Sequence, residues 1–119
     1  CYREALLARP ASARPPLQIY ATDLDADAIA KARRGFYPAS IAADVGAERL
    51  ERFFVPDEGG YRVAKEIRDL VIFAPQNLVS DPPFTKLDLL TCRNLLIYLG
   101  APAQKNLLPL FHYALNADG

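Results

Sequence analysis

The chain has 119 residues, enough for about one domain with its own core, and 14 basic side chains balance 14 acidic ones to no net charge. That balance lacks the electrostatic footprint of a nucleic-acid binder or of a protein held to an acidic membrane. An apolar fraction of 51% argues for a packed globule over disorder, and no apolar run approaches the roughly 18 residues of a membrane span.

In chain order, residues 2–8 (YREALLA) read as the end of a helix with Leu6 and Leu7 on its apolar edge. Residues 9–16, rich in Pro, Ala, Ser and Arg, read as a loop. Residues 17–22 (LQIYAT) form a short β-prone run ending at Asp23. A carboxylate at the tip of such a strand accepts hydrogen bonds from ribose hydroxyls in nucleotide-binding α/β units. Asp23 and Asp25 both qualify by position, and either can instead cap the helix that follows. Asp23 is assigned to ligand and Asp25 mainly to capping.

That helix spans residues 25–34, with Ala28, Ile29 and Ala32 on its buried edge. Its acidic first turn and its Lys31, Arg33 and Arg34 suit the helix dipole, and Gly35 is placed to stop it in a left-handed conformation. Residues 39–54 carry a weaker helical pattern, clearest in GAERLERFF, where Leu50, Phe53 and Phe54 recur at helical spacing. PDEGG at 56–60 is a turn, and residues 61–64 form a short strand leading into 65–69.

Residues 70–74 (LVIFA) are continuously apolar, as in a strand covered on both faces. Just past it come Gln76, Asn77 and Leu78. Amides there can read an adenine edge, and they serve equally as ordinary turn residues. SDPPF at 80–84 is a rigid turn.

The remaining chain is organised around residues 86–98, KLDLLTCRNLLIY. A buried strand is expected over Leu87, Leu89 and Leu90, then the polar cluster Thr91, Cys92, Arg93 and Asn94, then a short helical segment from Leu95 to Tyr98. A strand ending this way sets polar groups at the carboxyl edge of a parallel sheet, where α/β folds bind ligands. The alternative is that Arg93 and Asn94 cap the helix start and pair with a neighbouring carboxylate. Cys92 is expected reduced and buried. With Cys1 and His112 it cannot make a usual zinc site, so no metal is expected. No basic-then-apolar leader opens the chain, and a cytoplasmic protein is the expectation. After Gly100, Pro102 opens a last helix whose stripe includes Leu107, Leu110, Phe111 and Ala114, and Pro109 predicts a kink in it. His112 beside that stripe reads as a packed or surface residue rather than a catalyst.

The expected fold class is therefore α/β, with three strands finishing in Asp23, Gln76–Asn77 and Arg93–Asn94 along one crevice of a parallel sheet. In this order and spacing, ATDLDADAIAKARRGFY, FAPQNLVSDPPF and KLDLLTCRNLLIYL resemble the catalytic domain of the CheR-type chemotaxis receptor methyltransferases. The resemblance runs from about Leu17 to Gly119. The wording SDPPFTKLDLLTCRNLLIYL is most similar to versions fused to a CheB-type methylesterase and PAS sensor domains. It implies a Rossmann-like fold, S-adenosylmethionine as cofactor, and methylation of glutamate side chains on the cytoplasmic helices of chemoreceptors.

By the same resemblance, Asp23 binds the ribose hydroxyls, Asn77 and Leu78 contact the adenosine portion with Gln76 beside them, Arg93 and Asn94 line the cofactor crevice, and Tyr98 stands near the reactive methyl group. The role of Tyr98 comes from the family alone. Such enzymes also carry a Gly-rich turn after their first strand, and none of the six glycines here follows a first strand in that manner. The expectation is an incomplete domain, a fragment lacking that strand and the last ones, inactive alone and pairing with a second copy through exposed strand edges. The alternative function is a non-catalytic, methyltransferase-like signalling module that binds partners or an adenosine ligand. A dinucleotide-dependent oxidoreductase shares the acidic strand end but leaves CRNLLIY unaccounted for.

Overall fold

The computed structural model describes residues 16–119, so the helix end expected at 2–8 lies outside the described residues. The chain divides after Pro75 into two compact units.

In the first unit, strand β1 (Ile19–Asp23) pairs in parallel with β5 (Val71–Pro75). The register runs from Ile19 opposite Val71 to Asp23 opposite Pro75, so both strands finish at one edge. Ile19 N–H donates to the Leu70 carbonyl at 2.8 Å, and the Gln18 amide reaches the same carbonyl at 2.8 Å. Parallel strands need a crossover, and its first part is α1 (Ala26–Arg34). The Asp25 carboxylate caps this helix by accepting from the N–H groups of Asp27 at 2.8 Å and Ala28 at 3.3 Å. Gly35 ends it at φ +61°, with its N–H on the carbonyls of Lys31 and Ala32. Both ends thus match the sequence reading. Ile29 is buried to 4% exposure, and Arg33 Nη2 donates to the Phe73 carbonyl at 2.7 Å, tying helix to strand.

The rest of the crossover is a small antiparallel sheet that the sequence only hinted at. Strand β2 (Phe36–Pro38) and β3 (Phe54–Asp57) flank β4 (Gly60–Val63). Between β2 and β3 lie α2 (Ile41–Val45) and α3 (Ala47–Phe53), and α4 (Lys65–Arg68) leads into β5. The helical pattern expected through Phe54 stops one residue earlier, where Phe54 turns extended at φ −128°, ψ 151° and starts β3. Pro56 and Asp57, expected in a turn, belong to that strand, and only Glu58 and Gly59 turn. The strand at 61–64 is present as β4. Gly60 pairs across to Pro38 on one side and Asp57 on the other, and a Cβ there would collide with the Tyr37 carbonyl. Arg62 holds the hairpin through Asp57, at 2.7 Å from Nε to Oδ2, and through the Arg34 carbonyl at 2.6 Å.

The second unit, 76–119, contains a 3₁₀ turn (Leu96–Tyr98) and helix α5 (Ala101–Ala114). Helix α5 starts and ends close to the sequence reading, with Pro102 in its first turn and Pro109 inside it. Leu107, 1% exposed, and Ala114 are its buried residues. The buried strand expected at Leu87–Leu90 does not form. Its one ladder contact is an isolated parallel bridge between Leu87 and Leu115, and Leu89 is 79% exposed. A strand is stabilised by its neighbour's hydrogen bonds and side chains rather than by its own apolar content, and among the described residues this run has no strand beside it.

Candidate functional site

At the carboxyl end of β1, Asp23 is exposed, and one of its carboxylate oxygens accepts the Asp25 N–H at 2.9 Å. This fixes the turn between strand and helix, and Asp25 caps the helix as expected. The second oxygen of Asp23 has no hydrogen bond among the described residues, and a carboxylate has lone pairs to spare for hydroxyl donors.

The three residues after β5 form a closed turn. The Asn77 N–H donates to Asp81 Oδ2 at 2.8 Å, and the Asn77 side-chain oxygen accepts the Val79 N–H at 3.0 Å. The Asn77 carbonyl takes the N–H groups of Ser80 and Asp81, while Gln76 donates its amide to the Pro82 carbonyl at 3.0 Å. Of the two uses open to these amides, the turn use is therefore made, with the oxygen of Asn77 committed to it. Its amide nitrogen remains available to donate. Leu78 lies half-buried within the turn. Asp81, which organises this loop, went unread in the sequence, where its place between Ser80 and two prolines marked only a rigid turn.

In KLDLLTCRNLLIY, Arg93 and Asn94 are exposed and Cys92 is half-buried rather than buried. Asn94 sits at φ +62°, in the left-handed region that asparagine tolerates better than most residues. The 3₁₀ turn starts with no side-chain cap, so neither Arg93 nor Asn94 plays the capping role. Nor does Arg93 form an ion pair among the described residues. Tyr98 closes the turn and is 80% exposed, beside Ile97 at 75%.

Both ends of the motif are fastened to α5. On the far side, Leu87 N–H donates to the Ala114 carbonyl at 3.0 Å, and Asn116 N–H returns to the Leu87 carbonyl at 2.8 Å. The Asn116 amide also reaches Asp88 Oδ1 at 2.7 Å. On the near side, Gln104 Nε2 donates to the carbonyls of Leu96 at 2.8 Å and Leu99 at 2.9 Å. The sequence signal for Gln104 was slight, an uncharged polar side chain in the first turn that is followed directly by Lys105 and Asn106.

An apolar hollow of about 260 Å³ lies against the small sheet, lined by Ala47, Leu50, Glu51, Phe54, Pro56 and Tyr61. None of the seven candidate residues lines it. Among the described residues no three His, Cys, Asp or Glu side chains group as metal ligands, and no helix is long and apolar enough to cross a membrane. Taken separately, these residues fit an adenosine cofactor. In the first unit Asp23 has a carboxylate oxygen that accepts no hydrogen bond among the described residues and suits hydroxyl donors. In the second the Asn77 amide nitrogen, likewise unused among the described residues, suits a ring acceptor.

Several known proteins are similar to this chain along most of its length. The chain is 48% identical over 105 residues to an uncharacterized 104.1 kDa protein in the hypE 3' region of Rhodobacter capsulatus, covering 88% of this chain and 11% of that one. It is 36% identical over 111 residues to chemotaxis protein methyltransferase 2 of Pseudomonas aeruginosa, covering 88% of this chain and 40% of that one. With the chemotaxis protein methyltransferase of Escherichia coli K12 the figures are 33% over 111 residues, 86% and 38%. The chain thus spans well under half the length of these relatives. The family described as CheR methyltransferase, SAM binding domain, matches residues 4–119, which makes S-adenosylmethionine the cofactor of this domain. Its mixed α/β build with a parallel β1–β5 pair is that of a partial Rossmann-like methyltransferase domain. With the match covering nearly every residue, the chain belongs to the CheR methyltransferase family.

Proposed function

We propose that this chain is part of the catalytic domain of a protein-glutamate O-methyltransferase acting on chemoreceptor cytoplasmic helices. The observation that carries this reading is the family match across 4–119, together with relatives named as chemotaxis protein methyltransferases. When bound, S-adenosylmethionine supplies a methyl group on a positively charged sulfur. A glutamate side chain, with a pKa of about 4.3, is already ionised at neutral pH, so no residue of this chain has to remove a proton. What the chain contributes is binding and alignment, which can supply most of the acceleration when two reactants must meet in line.

In this reading Asp23 accepts the ribose hydroxyls, and Asn77, Leu78 and Gln76 hold the adenosine portion. Arg93 and Asn94 line the cofactor's place, and Tyr98 orients the reacting carbon and carboxylate. Exposure of Arg93, Asn94 and Tyr98 supports it, because residues that meet a ligand and a protein substrate have to be reachable. The chain covers 38% and 40% of the two named methyltransferases, so we read it as inactive by itself. We also read it as self-associating, since β1 pairs only with β5 among the described residues and Ile19, Tyr20 and Ile72 stand exposed on these strands. A sedimentation mass that stays monomeric from micromolar to millimolar concentration would remove that last point.

The test is calorimetric titration of S-adenosylmethionine and S-adenosylhomocysteine into this chain and into the intact protein, with two variants. Asp23→Asn weakens cofactor binding by roughly tenfold or more, as for loss of a hydrogen bond to a charged group. Tyr98→Phe slows methyl transfer and leaves cofactor affinity near wild type. Equal loss of both, or no effect, removes Tyr98 from the reaction. No binding by the intact protein moves the reading to a non-catalytic module.

A further inference from the structure

We infer that Gln104 is a positioning residue, one whose amide holds the turn that presents Tyr98. The inference rests on the reading of Tyr98 given above and extends it to a residue that touches neither cofactor nor substrate. Tyr98 is 80% exposed, so packing around its ring does little to fix its direction. Its aim is set by the backbone beneath it. That backbone is a single 3₁₀ turn, Leu96–Tyr98, held internally by Tyr98 N–H on the Leu95 carbonyl at 3.0 Å and Leu99 N–H on the Leu96 carbonyl at 3.2 Å. Such turns have poor hydrogen-bond geometry and little stability of their own.

The missing support comes from α5. Helical side chains lean toward the helix N-terminus, so a residue in the first turn covers the chain that precedes the helix. Gln104 stands there, its own N–H on the Gly100 carbonyl at 3.1 Å. Its Nε2 donates to the Leu96 carbonyl at 2.8 Å and the Leu99 carbonyl at 2.9 Å, so the two protons of one amide bracket Tyr98 from both sides. The amide is half-buried while the residue it brackets is bare. Both bonds use Gln104 as a donor. The chemistry needed is therefore two donors at this reach, which a glutamate or a methionine of similar length cannot supply and a lysine can.

The experiment uses the intact protein with Gln104→Glu, Gln104→Met, Gln104→Lys and Tyr98→Phe. Three quantities are read for each: turnover in methyl transfer, affinity for S-adenosylhomocysteine, and hydrogen exchange at the Tyr98 and Leu99 amides. Gln104→Glu and Gln104→Met are expected to lose about 10- to 100-fold in turnover, the scale of a small misalignment of reacting groups. Exchange at Tyr98 and Leu99 accelerates in both, and S-adenosylhomocysteine affinity stays at its wild-type value. Gln104→Lys restores exchange protection and most of the turnover. Wild-type exchange in the Glu and Met variants overturns the inference. So does a Lys variant as impaired as the Met variant, which would mean that shape rather than donation matters. The two readings separate cleanly. If Tyr98→Phe slows transfer while Gln104→Met does not, the inference on Gln104 fails. If Gln104→Met frees the amides but Tyr98→Phe leaves turnover untouched, the bracing by Gln104 stands and the role of Tyr98 falls.

Discussion

The runs LVIFA at 70–74 and LDLL at 87–90 look alike in sequence and end differently in the fold. The first becomes β5, matched to β1 over five register pairs, although it is not covered on both faces as expected, since Ile72 is 48% exposed. The second has a single bridge to Leu115, and its Leu89 is 79% exposed. An apolar run states a preference for burial; a strand additionally needs a neighbour offering a ladder. The residues after each run differ accordingly. Past β5 the amides are locked into a turn around Asp81. Past Leu90 the cluster Thr91 to Asn94 is mostly exposed, and among the described residues the hydrogen bonds on either side of it are those of Leu87 and Gln104.

If α5 replaces a sheet as the frame of the second unit, its buried centre should carry the largest stability effect there. Leu107 is 1% exposed, and Leu107→Ala is expected to destabilise by about 2–5 kcal/mol, the range for emptying a core leucine site. Denaturant unfolding followed by circular dichroism measures it. A loss well below that range would show that the helix is not the frame.

The two aspartates after β1 allow a finer comparison. Asp25→Ala removes a cap that satisfies two helix N–H groups and should lower stability by about 0.5–2 kcal/mol. Asp23→Ala loses one bond to a flanking N–H in an exposed turn and should cost less in stability than Asp25→Ala while costing more in cofactor affinity. Thermal melts and calorimetry on the same pair of variants check both halves. A larger stability loss from Asp23→Ala would reverse the assignment.

The small sheet contributes to the acid limb of stability. The Glu58 N–H, and then the Arg62 side chain, hold the Asp57 carboxyl below its ordinary value of 3.8. A carboxylate with a depressed folded pKa stabilises the protein above its unfolded pKa, and that contribution disappears as pH falls through the folded value. Asp57→Asn should therefore flatten the decline in stability below about pH 4 and leave its slope near neutrality unchanged. Melting temperatures from pH 7 to pH 2 for both proteins would show it, and an unchanged acid limb would place the titration elsewhere.

Much of the first unit was legible because its signals are local. Asp25 before a helical pattern and Gly35 after it fix both ends of α1 through bonds a few residues long. LQIYAT and LVIFA are β-branched or apolar runs that found each other. The small sheet was harder, since Phe36–Pro38 has three residues and no alternation to read, and Phe54–Asp57 includes a proline. These strands exist because β4 sits between them, with a glycine where the backbones come closest. At the site, Asp23 and the residues around Asn77 were readable as strand-end polar groups. Gln104, Asp81 and Asn116 were not, because each acts through carbonyl, amide or carboxylate partners that sequence spacing does not reveal.

The smallest expected effect falls on Leu89, in the run that forms no ladder beyond the Leu87–Leu115 bridge. In a laddered, two-face-covered strand, truncating a central leucine would cost as much as Leu107→Ala. At 79% exposure Leu89 has little buried apolar area to lose, and Leu89→Ala is expected within about 0.5 kcal/mol of wild type, as for an ordinary surface change. Measured in this chain and again in the intact protein, the variant reads out what surrounds the run in each. A near-zero change in both means the motif is carried by α5 alone, through the Leu87 and Gln104 contacts. A near-zero change here and a loss of about 2–5 kcal/mol in the intact protein means that LDLL becomes a covered strand there. The sequence preference for burial is then met by chain outside these 119 residues, and Arg93, Asn94 and Tyr98 are carried to the end of a strand by the same hydrophobic force that shapes β5.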